Sequence, residues 1–108
     1  MDWELRGGEG GDAGVVLGAK MGTQTISVRN SDRSAKTLCI EPWADEFPMR
    51  PGDEWQIVFD GPEMGHPAVD SGTHRITVYG WSGATAAVYY EGEEVAALSN
   101  PVPPIPSV

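Results

Sequence analysis

Pro51-Gly52-Asp53-Glu54-Trp55-Gln56-Ile57-Val58-Phe59 places a proline-glycine turn directly before an alternating strand. Proline presets the first turn position and glycine tolerates the left-handed conformation at the second, so the chain reverses here at little steric cost. Successive strand side chains point to opposite faces, so Trp55, Ile57 and Phe59 share one face while Glu54, Gln56 and Val58 share the other. A mostly apolar face backed by a mixed one is the pattern of a half-buried β-strand. Just upstream, Ile40 to Met49 crowds acidic and aromatic residues into a second strand region, so the stretch as a whole reads as β structure.

Outward from that strand the period of two recurs, and no long segment keeps a helical period. Ile26 and Val28 point inward from Thr25–Asn30, and Leu38 and Ile40 from Thr37–Glu41. Ile76 and Val78 do so from Arg75–Tyr79, and Val88 and Tyr90 from Thr85–Tyr90. Asn30 to Ser34 turns the chain, a short strand near Glu46–Met49 precedes the proline turn, and Glu91-Gly92 makes a hairpin turn into Glu93–Ala97. Asp60 to Pro67 reads as the main loop. About seven strands result, with turns roughly every 8 to 12 residues, so the predicted fold class is all-β: a single antiparallel β-sandwich without a long helix.

Seven of the fourteen glycines lie in the first 22 residues, and glycine's backbone entropy makes such a stretch hard to order. Residues 1–22 are therefore expected to be a flexible arm, with Val15-Val16-Leu17 as a marginal strand inside it. Residues 23–99 form the sandwich domain and residues 100–108 a proline-rich tail. Pro101, Pro103, Pro104 and Pro106 lack amide donors and favour polyproline II, so this tail is read as a passive or surface-packed end rather than a docking motif.

Sixteen acidic against seven basic residues give the 108-residue chain a net charge of −9, which repels nucleic acid and anionic membranes alike. The longest apolar runs, such as Val95-Ala96-Ala97-Leu98, fall far short of the roughly 20 residues of a membrane helix. The lone Cys39 has no intramolecular mate and no signal segment opens the chain, so a cytoplasmic setting is expected.

Glu41-Pro42-Trp43, Met49, Pro51-Gly52-Asp53-Glu54 and Val88-Tyr89-Tyr90-Glu91-Gly92 resemble a group of short bacterial all-β proteins with a Glu-Pro-Trp segment ahead of a Pro-Gly turn. The resemblance spans roughly residues 23 to 97 and implies a sandwich of immunoglobulin-like or cupredoxin-like outline, without implying an activity.

A cupredoxin-like outline invites a copper test, because Cys39, His66, His74 and Met49 or Met64 complete the ligand inventory of a blue-copper site. In that family the cysteine is late and a histidine and methionine follow closely, whereas Cys39 is early and His66 stands 27 positions on. An ordinary small apolar cysteine is the better reading, and no cofactor is expected. Asp70-Ser71-Gly72-Thr73 matches an aspartic-protease signature, but only 38 residues follow Asp70, and a turn explains the same residues. Glu41, Asp45, Glu46, Asp53, Glu54, Asp60 and Glu63 are offset between Glu41 and Glu63 by Arg50 alone, which suits a cation or a basic protein surface. No calcium-loop pattern accompanies them, so a solvated acidic rim is preferred.

Trp55 belongs to the core by its alternation, while Trp43 and Trp81 sit at strand ends, either capping the core or standing exposed. Exposed rings beside carboxylates would hold a basic side chain by cation–π attraction or a sugar face by stacking. The expected function is a non-catalytic, protein-binding module with Glu41, Trp43, Asp45, Glu46 and Trp81 as candidate binding residues; the alternative is a carbohydrate- or calcium-binding domain.

Overall fold

The computed structural model describes residues 20–103, which form eight strands and no helix. Most of the expected arm, Val15-Val16-Leu17 included, lies outside the described residues, as do residues 104–108 of the tail. The strands are β1 (Met21–Arg29), β2 (Lys36–Glu41), β3 (Asp45–Met49), β4 (Glu54–Pro62), β5 (Ala68–Ser71), β6 (Arg75–Tyr79), β7 (Thr85–Tyr90) and β8 (Glu93–Leu98). They make two four-stranded sheets, ordered β1-β4-β7-β8 and β3-β2-β6-β5.

Two features correct the sequence expectation of about seven antiparallel strands. The first sheet is antiparallel throughout, but β2 and β6 run parallel, so the second is mixed. Local alternation reports which face of a strand is buried and is blind to the direction of a neighbour 38 residues away, as Leu38 is from Ile76. The eighth strand is β5, exposed at all four of its residues. With neither face buried it carries no alternation to detect.

β4 also runs on to Pro62, taking the first part of what reads as a loop. Gly61 continues the buried face, because a Cβ there would come within 2.9 Å of Ala84. A buried glycine satisfies the packing while hiding the pattern. β1 begins at Met21, two residues before the boundary that the glycines suggested.

The alternation otherwise reads correctly. One core cluster takes Val28, Trp55, Ile57, Phe59, Ala86, Val88 and Leu98 from the antiparallel sheet, with Leu38, Ile40, Met49, Ile76 and Val78 from the mixed one. Each large side chain fully buried there contributes roughly 1.5–3 kcal/mol.

Turn chemistry fixes the strand ends. The Asp53 amide donates to Arg50 O at 2.9 Å and Gly52 has φ +86°, completing the type II turn that Pro51-Gly52 announces. Glu91 and Gly92, with φ values of 52° and 82°, form the type I′ turn of the β7–β8 hairpin. Glu41–Pro42 is cis, and Ala44 has φ 63° in the same connection.

Asn30, fully buried, ties three segments together. Its Nδ2 donates to Ser34 O at 2.9 Å and Met49 O at 3.0 Å, while Oδ1 accepts from the Asp32 amide at 3.1 Å. Its own amide donates to Asp53 O at 2.9 Å and its carbonyl accepts from Gly52 at 2.8 Å, so every polar group of the residue is used.

Candidate functional site

Trp43 and Trp81 are both half-buried and close one end of the core. The Trp43 ring lies 6.5 Å from Phe59 and the Trp81 ring 5.4 Å from it, centroid to centroid. Glycines make room for them: a Cβ on Gly80 would stand 2.9 Å from Trp43 Cη2, and one on Gly65 only 1.9 Å from Trp81 Cδ1. Both indole N–H groups are engaged, Trp43 with Asn100 O at 2.7 Å and Trp81 with Pro62 O at 2.8 Å. The rings are thus held in place as caps of the core, each with part of its surface still exposed.

The three acidic candidates sit elsewhere. Glu41 accepts a hydrogen bond from the Cys39 thiol at 3.1 Å, and Glu46 pairs with Arg75 at 3.2 Å. Asp45 stands half-buried opposite Ile40 at the start of β3. Cys39, only 1% exposed, lies between Glu46 on β3 and Thr77 on β6, on the face of the mixed sheet turned away from Leu38 and Ile40. Burial first, then the hydrogen bond and charge of Glu41, push its thiol upward, so it stays protonated at neutral pH.

The other sequence constellations disperse. Met49 is fully buried in the core, whereas Met64 is 91% exposed and His66 and His74 are exposed. Among the described residues no three His, Cys, Asp or Glu side chains converge as metal ligands would. Asp70 and Ser71 end β5, and the Gly72 amide donates to Arg75 O at 2.8 Å, closing the β5–β6 turn. The carboxylate-rich stretch splits, with Asp45 and Glu46 on the mixed sheet and Glu54 and Asp60 on the antiparallel one.

A cleft of about 510 Å³ does bring separate segments together. Glu54 and Gln56 of β4 and Tyr89 of β7 line it, between the Gly52-Asp53 turn and the Glu91-Gly92 turn. Tyr89 lies directly opposite Gln56, so the cleft lies over the outer face of the antiparallel sheet, while Tyr90 turns inward against Trp55 at 4.7 Å.

Its rim is held by a small polar network. Asp53 accepts from the Arg50 amide at 2.8 Å and from Tyr90 Oη at 3.0 Å, and Arg50 Nη2 donates to the same hydroxyl at 3.0 Å. The Arg50 amide above all holds the Asp53 carboxyl below its usual range; desolvation, next in size, opposes it, and the Tyr90 hydroxyl and the guanidinium add to the lowering. Tyr89 donates to Glu94 at 3.3 Å, and desolvation with that carboxylate raises its phenol. Both turns are thereby fixed by contacts within the chain.

The sequence names both segments of this cleft but does not join them, because Asp53 and Tyr90 are 37 positions apart. No family model matches the chain, and no curated protein or solved structure matches it.

Proposed function

We propose that the two sheets form a β-sandwich of immunoglobulin-like or cupredoxin-like outline that acts as a non-catalytic protein-binding module, and that the cleft over the β4–β7 pair is its contact site. The supporting observation is the convergence of Glu54, Glu91 and the Tyr89 ring on one pre-formed concavity at the meeting of two ordered turns. Carboxylates flanking an aromatic face suit a lysine or arginine side chain, by charge and by cation–π attraction together. A chain of net charge −9 draws such a partner from a distance.

The buried and protonated Cys39 supports the non-catalytic reading, since the one thiol of the chain offers no nucleophile at the surface. Trp43 and Trp81 lie outside this cleft, at the opposite end of β7.

The test is an NMR titration of the full chain with a lysine- and arginine-bearing decapeptide. Amide shifts confined to Gly52, Glu54, Tyr89 and Gly92, fading between about 50 and 300 mM salt as screening rises, would support the reading. Shifts absent from these residues would refute it. Tyr89 beside Gln56 is also the chemistry of a sugar subsite, and a parallel titration with methyl glycosides separates that alternative.

A further inference from the structure

At the end of β7 away from the cleft, the chain's last described residues lie across the aromatic cap. Asn100 O accepts from Trp43 Nε1 at 2.7 Å, Val102 O accepts from the Gly83 amide at 2.9 Å, and the Val102 amide donates to Ala84 O at 3.0 Å. Ser82 Oγ donates to Pro103 O at 3.3 Å. These bonds run from the β2–β3 connection to the turn between β6 and β7, so the segment straps one connection to the other.

We infer that Trp43 and the Trp81–Ala84 turn form a groove for an extended proline-rich segment, occupied here by the chain's own Asn100–Pro103 and open to the same segment supplied in trans.

Three observations carry this. First, the strap adds nothing to the core cluster, whose members all come from the strands and Ala84. It is seated on a finished core. Second, the polar pattern suits a proline-rich ligand. Pro101 and Pro103 have no amide to satisfy, and the one amide between them, that of Val102, is the one the groove engages. Val102 is half-buried while both flanking prolines are exposed, so a single side chain enters the surface.

Third, the groove is rigid before it is filled. Trp43 is fixed by Gly80 beneath it and Phe59 beside it. The Ala84 amide donates to Trp81 O at 2.9 Å, and Gly83, at φ +85°, gives this connection the same turn form as Pro51-Gly52. An indole N–H aimed at the carbonyl ahead of a proline, on an aromatic surface, is how polyproline II segments are read elsewhere, because the preset ligand loses little entropy on binding.

An intramolecular strap acts at an effective concentration in the millimolar range, so the native chain should exclude free peptide. Val102→Pro in the full chain deletes the amide that bonds to Ala84 and weakens the strap. A peptide of residues 99–108 should then bind this variant, shifting the Trp43 indole and Gly83 amide resonances at a half-saturation at least tenfold below that of the unmodified chain. Equal binding to both proteins, or binding to neither, would overturn the inference.

Hydrogen exchange on the unmodified chain decides the matter if the variant fails to fold. The Val102 and Gly83 amides should exchange at least tenfold faster than those of Ile57 and Val78, through an opening that leaves the core closed. Exchange of all four at one rate would make the strap an inseparable part of the fold and refute the groove.

Discussion

Replacing Asn30 by aspartate keeps the side chain's shape and the Oδ1 acceptor for the Asp32 amide, yet turns the Nδ2 donor into an oxygen facing Ser34 O and Met49 O. Two hydrogen bonds become two oxygen–oxygen contacts at a fully buried position. An uncompensated buried polar group costs about 1–3 kcal/mol and a charged one more, so the new carboxyl lowers its cost by taking up a proton. Its folded pKa therefore rises above the unfolded value near 3.9, at about 1.36 kcal/mol per unit. The sign follows: the variant is least destabilised below about pH 4, loses further stability as pH climbs from there to the raised folded value, and stays level above it. A rise to about 7 would separate pH 4 from pH 7 by ~3 kcal/mol. Asn30→Ala instead loses three side-chain bonds of about 1 kcal/mol each whatever the pH, ~3 kcal/mol or some 12–24 °C in melting temperature for a domain of this size. Urea unfolding followed by tryptophan fluorescence at pH 4 and pH 7, with the unmodified chain as reference at each pH, measures both. An aspartate variant whose deficit is the same at the two pH values, or within about 0.5 kcal/mol of zero, would show that Asn30 does not hold these segments as described.

Glu91 occupies a left-handed position that asparagine and glycine adopt more readily, so Glu91→Asn should stabilise the hairpin by about 1 kcal/mol and raise the melting temperature by several degrees. Gly65→Ala should cost about 2–3 kcal/mol and red-shift tryptophan emission, because a Cβ 1.9 Å from Trp81 Cδ1 must displace the indole and break its bond to Pro62. The depressed Asp53 carboxyl adds stability that is present above its unfolded value and lost as pH falls through the folded one. The gap between the unmodified chain and Asp53→Asn should thus shrink on acidification from about pH 5 to pH 2 in urea titrations, and a gap that widens would contradict the network. Arg75→Ala removes the cation that lowers the Cys39 thiol and leaves Glu46 unneutralised beside it, so the thiolate fraction falls and labelling of the native thiol by a disulfide reagent at fixed pH should slow, whereas faster labelling would show that the ion pair acts chiefly as a cover.

What the sequence makes legible follows from which physical signals are local. Trp55, Ile57 and Phe59 alternate because β4 has one face on the core, and the same holds for Ile76 with Val78 and for Val88. Pro51-Gly52 and Glu91-Gly92 declare their turns because backbone strain is set within four residues. β5 is silent for the opposite reason, being exposed throughout. Trp43 and Trp81 are visible as strand-end aromatics, but whether they cap or protrude depends on Gly80 and Gly65, whose missing side chains admit the rings.

The acidic stretch from Glu41 to Glu63 shows how far topology redirects a sequence signal. Counted along the chain it concentrates negative charge around Arg50, as one continuous acidic rim. The chain, however, leaves the mixed sheet after β3 and enters the antiparallel one at β4, so Asp45 and Glu46 part from Glu54 and Asp60 at the Pro51-Gly52 turn. Glu46 is then neutralised by Arg75, 29 positions on, while Asp53 is held by Arg50 and Tyr90. The surface field is therefore assembled across strands: Glu54 gains Glu91 as a neighbour in the cleft and loses Glu46. Charge density read along the sequence locates acidic residues, and the switch between sheets decides which of them act together.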